Sequence, residues 1–154
     1  MAAYETSVSR SYVPTADAGV ATTLIWKTVS IALATAMIDN ANDDVGLFYV
    51  PPGCIPVMAI LSVTDVDTNG SPAVVIDIGD SADEDRLIAA STVGQAGGVT
   101  SAIARTGFMY KYTARTQLRA YIATAAGTPA TGTLNFALGY LVNTEYSTTA
   151  LVAA

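Results

Sequence analysis

The sequence contains no histidine and a single cysteine, Cys54, among its 154 residues. Without histidine, a catalytic triad, an imidazole base and a histidine-ligated metal site are all excluded. One cysteine cannot form a disulfide within the chain or a zinc site of several thiolates. Cys54 follows Gly53 at a strand start, so we interpret it as a small buried hydrophobic residue. We therefore expect no catalytic, cofactor-binding or metal-binding residues, and no enzyme.

Charged residues are also scarce: Asp, Glu, Lys and Arg make up 13% of the chain, about half the usual ~25%. The 7 Lys and Arg against 13 Asp and Glu leave a net charge of −6. Binding to nucleic acid or to an anionic membrane surface needs clustered cations. The sequence therefore predicts neither of these partners. The cations are dispersed along the chain at Arg10, Lys27, Arg86, Arg105, Lys111, Arg115 and Arg119.

Long hydrophobic runs are absent, and the most apolar stretch near the N-terminus is residues 28–38, TVSIALATAMI. It is too short to span a bilayer, which takes about 20 residues. Ala34-Thr35-Ala36 would fit a signal-peptide cleavage site, but the preceding residues contain Glu5 and Asp17 and no basic cluster. We therefore expect a buried strand here.

What the sequence does contain is alternation of apolar and polar residues with a period of two, which is typical of strands with one buried face. No segment has the caps and apolar period of a helix. The fold is predicted to be all-β, an antiparallel β-sandwich or jelly roll of about eight strands within a domain of residues 23–142. The expected strands are residues 27–34, 45–50, 55–64, 73–79, 86–90, 107–113, 117–124 and 132–142.

Residues 1–22 show neither the period of two of a strand nor the apolar period of a helix. They carry Ser, Thr, Pro and Gly at intervals, so we expect an extended N-terminal arm. The tail, residues 143–154, is similar. The arm nevertheless contains Tyr4, Val8, Tyr12 and Val13, which a permanently disordered tail rarely needs. We expect the arm to be mobile in the isolated protein and ordered on an adjacent subunit in an assembly.

Residues 65–70, DVDTNG, match the first half of a calcium-binding loop. Asp65, Asp67 and Asn69 would supply alternating oxygen ligands, but Ile76 stands where the closing bidentate Glu should be. Asn-Gly is also the strongest short hairpin signal, with a turn that needs positive φ. We favour a hairpin that joins strands 55–64 and 73–79, with cation binding as the alternative.

Residues 79–86, GDSADEDR, form the densest charged stretch. Two carboxylates can act as acid and base in glycoside hydrolysis, but only when they are held across a cleft. We interpret the stretch instead as a solvated turn in which Asp83 or Asp85 pairs with Arg86. The glycines of residues 94–98 are followed by no lysine, so a phosphate loop is not expected.

Phe108, Tyr110 and Tyr112 form an aromatic stripe that could stack on a sugar or a base. No cluster of cations accompanies the stripe, so one face of a core strand is the favoured interpretation. Many outward positions of the expected strands hold Ala, Thr, Gly or Tyr rather than Lys or Glu. Such a surface suits a face that another subunit covers; an Ala-rich, robust monomer is the alternative.

The order of these signals resembles that in small structural proteins of tailed bacteriophages. The resemblance rests on residues 47–80, LFYVPPGCIPVMAILSVTDVDTNGSPAVVIDIGD, followed by SADEDRLIAA and GQAGGV. In those proteins a strand start of the form lPaG-v-(V/I) precedes D-D-NGSP, an apolar strand and (V/I)GD, with DRfi and aGG further on. A closing strand like residues 132–142 is also typical. The resemblance covers residues 45–142 and leaves out the arm and the tail.

The resemblance implies a jelly-roll decoration (cement) protein, bound to the outside of an icosahedral head as a homo-oligomer, a dimer or trimer. Its expected partners are the major capsid protein and copies of itself. Its expected location is the capsid surface of the virion, after synthesis in the bacterial host cytoplasm. The alternative is a carbohydrate- or receptor-binding module of a phage fibre or tail appendage, with Tyr110, Tyr112 or Tyr121 as platforms. An acid-pair glycosidase is a third hypothesis.

Overall fold

The computed structural model describes residues 24–142, so the predicted arm and tail lie outside the described residues. The described chain contains eight strands and two single-turn 3-10 helices, Thr35–Met37 and Val93–Gln95. The predicted all-β fold is confirmed. The strands are β1 (Ile25–Leu33), β2 (Asp44–Val50), β3 (Cys54–Val63), β4 (Val75–Asp80), β5 (Asp83–Ser91), β6 (Gly98–Thr100), β7 (Thr116–Thr124) and β8 (Gly132–Val142).

The strands form two antiparallel sheets of four strands each, packed as a β-sandwich. The first sheet has the order β1-β8-β3-β6, and the second has the order β2-β7-β4-β5. Consecutive strands therefore often lie in different sheets, as in jelly-roll architectures. Only β4 and β5 are joined as a hairpin of neighbouring strands.

The core lies between the two sheets and is built from alternate residues of the central strands. In β8, Leu134, Phe136 and Leu138 point inward and are almost fully buried. The Phe136 ring stacks on Phe48 of the second sheet at a centroid distance of 5.8 Å. Each large apolar side chain buried in this way contributes about 1.5–3 kcal/mol of transfer free energy, so the period-two pattern drives the sheets together.

The sequence prediction was wrong for residues 107–113, which form an irregular loop rather than a strand. Backbone hydrogen bonds from Gly107 to Ala104 and from Tyr110 to Gly107 close tight turns there, and Met109 adopts a positive φ of 62°. These turns break the extended geometry that the aromatic alternation predicts. The eighth strand is instead β6, which begins at Gly98, the last of the glycines of residues 94–98.

The predicted hairpin at Asn69-Gly70 is also wrong. The strands on either side of it, β3 and β4, belong to different sheets, so the connection crosses from one sheet to the other. Gly70 does not have the positive φ that the hairpin turn requires; the positive-φ glycines of residues 24–142 are Gly53 and Gly97. Of the stretch 28–38, residues 28–33 do lie in a strand, but in the edge strand β1, with alternate residues exposed and only its last residue, Leu33, fully buried. The buried-strand prediction was wrong for the rest, where Thr35–Met37 forms a 3-10 helix.

Candidate interaction surfaces

The outer face of the first sheet carries no charged side chain. Its residues form cross-strand rows: Trp26 and Met58 flank Gly139 in one row, and Thr28 and Ile60 flank Ala137 in the next. We call this surface the charge-free face. Its members are Trp26, Thr28 and Ser30 of β1, Asn135, Ala137 and Gly139 of β8, Met58, Ile60 and Ser62 of β3, and Val99 of β6.

The charge-free face exposes large apolar groups to solvent. Val99 is 66% exposed, Trp26 is 45% exposed and Met58 is 41% exposed. A Cβ atom at Gly139 would lie 3.3 Å from the indole of Trp26, so glycine allows the ring to lie flat across the sheet toward Met58. Exposed apolar patches of this kind on a globular protein mark interaction surfaces.

The outer face of the second sheet is polar by contrast. Asp44 of β2 and Arg119 of β7 form an ion pair there, and Asp77 of β4 shares a cross-strand row with Asp44 and Tyr121. The two faces of the sandwich therefore differ in charge, although the sequence alternates similarly in both sheets. This difference predicts that one face is covered in the assembled protein and the other is exposed to solvent.

One end of the sandwich is closed by residues 101–115, which we call the apical loop. Its backbone is anchored on both sheets, because Met109 donates to the carbonyl of Pro56 and Ala104 donates to that of Leu87. A side chain at Gly107 would collide with the carbonyl of Arg86 at 2.1 Å. The loop is therefore held in place, and it exposes Phe108, Met109 and Tyr110 at its tip.

Below this tip, Arg86 is the centre of a mostly buried charged cluster. Its Nε donates to Asp80 Oδ2 at 2.6 Å, and its Nη1 lies 3.5 Å from Asp83. The guanidinium also stacks on the Tyr110 ring at 3.9 Å. The expected pairing with Asp83 is present but secondary, and the main partner is Asp80, which the sequence interpretation missed. The stretch is thus the β4–β5 hairpin with a buried ion pair, rather than a solvated turn.

The pKa values in this cluster follow from those contacts. Burial raises the pKa of Asp80, but the hydrogen bonds from Arg86 and from the Ala82 backbone outweigh it and lower the pKa overall. The pKa of Asp83 is raised, first by a hydrogen bond with the neighbouring Asp85 carboxyl and then by burial. The hairpin therefore carries crowded carboxylates beyond those that Arg86 neutralises.

The tyrosines considered as stacking platforms are mostly inaccessible. Tyr112 is 3% exposed and Tyr121 is 6% exposed, so neither ring can receive a sugar or a base. Tyr110 is exposed, but Arg86 covers one of its faces and Tyr112 packs against its edge. Cys54 is buried as expected, and burial raises the pKa of its thiol to about 12, which leaves it unreactive.

Asp67, considered above as a calcium ligand, is a structural carboxylate. It is 1% exposed, and its two oxygens accept five backbone hydrogen bonds from the β3–β4 and β7–β8 connections, at the end of the sandwich opposite the apical loop. Burial raises the pKa of Asp67, but these hydrogen bonds outweigh it and hold the pKa far below its usual range. The donors are the N–H groups of Asn69, Ala73, Val74, Gly127 and Thr128.

The alternating oxygens that resemble a calcium loop serve local turns. Asp65 accepts from the N–H of Asp67, and Asp67 accepts from that of Asn69. Asn69 in turn accepts from Ser71, so three Asx turns follow one another, each spanning two residues. Within residues 24–142 no group of three acidic, Cys or His side chains is placed to hold a metal ion.

Comparison with known proteins gives a consistent result. A chain in the capsid of Ralstonia phage GP4 is 31% identical, with a TM-score of 0.69, over 86% of this chain and 91% of that chain. The chain belongs to a family of bacteriophage structural proteins. A chain of the cyanophage Pam1 capsid asymmetric unit is 29% identical, with a TM-score of 0.70, over 92% of this chain and 99% of that chain.

A third chain shares the fold alone. It comes from the acidic stable capsid structure of Helicobacter pylori bacteriophage KHP30, at 15% identity and a TM-score of 0.57, and the match covers 82% of this chain and 97% of that chain. No protein-family model and no curated protein matches the sequence. Within residues 24–142 no helix is long and apolar enough to cross a membrane. The family places this chain among the structural proteins of the phage virion.

The Asp67 carboxylate gives a direct test of its structural role. We expect Asp67→Asn to lower the free energy of unfolding by about 2–4 kcal/mol, because the amide would place N–H groups against backbone donors. Because the folded-state pKa is depressed, the contribution of Asp67 is fully present above its unfolded pKa of about 4 and is lost as pH falls further. Urea unfolding at pH 7 and pH 3 should therefore show a smaller difference between the two proteins at pH 3.

Asp65→Asn is the matched control, since Asp65 is exposed and accepts one backbone hydrogen bond; it should cost less than about 1 kcal/mol. Equal losses for the two variants would contradict the account. A rise in melting temperature with added calcium that EDTA reverses would show that the loop is a cation site instead.

Proposed function

We propose that the protein is a decoration (cement) protein that binds the outside of a phage head as an oligomer and stabilises the shell. The observation that carries the proposal is the charge-free face, on a chain similar along most of its length to chains found in phage capsids. In a free monomer, Trp26, Met58 and Val99 stay exposed to water on one sheet face. Contact between this face and a shell would bury these three apolar side chains.

The size of the charge-free face supports a stable contact. The face is four strands wide at most and about nine residues long, so it covers about 500 Å². Burying it against a partner removes about 1,000 Å² in total from water, near the lower end of specific interfaces. Many copies on one head would add such contacts together.

The position of the charge-free face, opposite the charged outer face of the second sheet, supports contact with the shell. When the charge-free face lies on the shell, the outer face of the second sheet, with Asp44, Asp77 and Arg119, is directed to solvent. This arrangement leaves charged groups hydrated and removes apolar groups from water, which is the lower free energy of the two orientations. We propose the major capsid protein as the partner that covers the charge-free face.

A non-enzymatic role agrees with the side chains present. The acidic residues of the β4–β5 hairpin lie on one edge of one sheet, and Asp80 is neutralised by Arg86. They do not face one another across a cleft, as the two carboxylates of a glycosidase must. The alternative of a glycan-binding module has lost two of its three platforms, because Tyr112 and Tyr121 are buried.

The test uses heads from a phage that lacks this protein and the purified full chain. Wild-type protein should bind saturably and raise the temperature at which the heads release their DNA. Thr28→Lys puts a charge in the middle of the charge-free face and should weaken binding at least about tenfold, because burying an unpaired charge costs well over 1.4 kcal/mol.

Thr124→Lys is the matched control, an exposed strand threonine of the second sheet; it should bind as wild type does. If wild-type protein leaves heads undecorated, the cement role is wrong. If both lysine variants bind equally well, the role of the charge-free face is wrong.

The N-terminal segment forms a second part of the proposal. Residues 1–22 precede β1, the edge strand of the first sheet, and can reach about 70 Å when extended. Anchoring Tyr4 and Tyr12 on a neighbouring subunit would bury aromatic area and tie subunits together. Deleting residues 2–20 should leave the melting temperature of the sandwich nearly unchanged while weakening head binding. If the truncated protein binds heads with unaltered affinity and the heads resist heat equally well, the proposed role of residues 1–22 is wrong.

A further inference from the structure

A groove opens between the edge strands β1 and β2, at the same end of the sandwich as the apical loop. Its volume is about 410 Å³, within the range of ligand-sized sites. Two cations of the chain, Lys27 and Arg115, come together in it although 87 residues separate them in the sequence. The remaining lining residues are Tyr49, Val50, Pro51, Pro52 and Tyr140.

The two cations are positioned by aromatic rings and a carbonyl. Lys27 donates to the Tyr49 carbonyl at 2.8 Å and lies 5.0 Å from the centre of the Phe48 ring. Arg115 stacks on the Tyr49 ring at 4.0 Å. Among residues 24–142, neither of them forms an ion pair with a carboxylate. In a chain of net charge −6, this groove therefore gathers two cations that no carboxylate within residues 24–142 neutralises.

The opposite edge of the second sheet carries the complementary charge. The β4–β5 hairpin turns at Ser81 and Ala82, whose small side chains are exposed at its tip, and Glu84 and Asp85 are exposed beside them. The sheet order β2-β7-β4-β5 separates hairpin and groove by three strand spacings, about 14 Å. Both lie at the same end, because β2 and β4 run parallel and both finish there.

We propose that the β4–β5 hairpin of one copy docks in the Lys27–Arg115 groove of a second copy, so that the protein associates with itself through opposite charges. A hairpin and its groove cannot meet within one molecule, since they lie on opposite edges of one rigid sheet. Between copies, the two surfaces match in sign, and the narrow tip with Ser81 and Ala82 suits a groove of this size. The crowding of Asp83 and Asp85, which raises the pKa of Asp83, would be relieved by partner cations.

This inference deepens the proposed function and rests on it for what the oligomer does, but self-association can be measured without heads. Sedimentation velocity of the purified full chain at about 20 mM and about 500 mM salt is the primary measurement. The association constant should fall at least about tenfold at the higher salt, because exposed ion pairs are screened. A wild-type protein that is monomeric at millimolar concentration in low salt would overturn the inference.

Charge reversal then identifies the surfaces. The groove variant, Lys27→Glu with Arg115→Glu, and the hairpin variant, Glu84→Lys with Asp85→Lys, should each weaken self-association at least about tenfold. Mixing the two variants should restore association, because each acidic groove then meets a basic hairpin and each basic groove an acidic one. Arg105→Glu and Asp39→Lys make similar charge changes outside these surfaces and should associate as wild type does. Circular dichroism shows whether each variant is folded. If the double groove variant is unfolded, Arg115→Gln alone is the milder groove variant.

The two proposals can fail separately. If both reversed variants associate as wild type does, or if mixing them restores nothing, the hairpin–groove contact is wrong, whatever the heads bind. If association depends on these charges but the protein does not bind heads, the contact stands and the cement function is wrong.

Discussion

The Asp67 carboxylate is a buried charge that joins two of the connections between the two sheets. A buried charge is unfavourable unless hydrogen bonds replace its water, and five backbone N–H groups do so here, from residues 69–74 and from Gly127 and Thr128. These donors lie in the connections β3–β4 and β7–β8, each of which crosses between the sheets. One side chain thereby joins two crossings. The outer faces of the two sheets that these crossings connect present different charges to the surroundings.

That difference in charge links the fold to the assembly. The core explains the inward residues of both sheets, but it places no demand on outward ones. Outward positions of the second sheet carry Asp44, Asp77 and Arg119, whereas those of the first carry Trp26, Met58 and other uncharged residues. The 13% of charged residues are therefore unevenly distributed. The outer face of the first sheet, where contact with other chains is proposed, has none, whereas the outer face of the second sheet, where solvent is expected, has several.

Local periodicity was enough to predict the all-β class and seven of the strands, because burial alternates along much of most of them. It misplaced residues 107–113, since the loop there is anchored by hydrogen bonds from Ala104 to β5 and from Met109 to β3 that no local pattern records. It also could not place Lys27 beside Arg115, because strand order decides that neighbour. The pairing of Asp80 with Arg86 depends instead on the register of the β4–β5 hairpin. The Asx turns of Asp65, Asp67 and Asn69 could have been predicted from the sequence, because they depend only on residue type and on a spacing of two residues.

The charge-free face of the first sheet is proposed to lie against the shell. A cryo-electron microscopy reconstruction of the virion, with this chain traced in density, measures that directly. The account predicts Trp26, Thr28 and Met58 in contact with the major capsid protein, and Asp44 and Asp77 facing solvent. A reconstruction in which the first sheet faces solvent, or in which the chain is absent from the head, would contradict it.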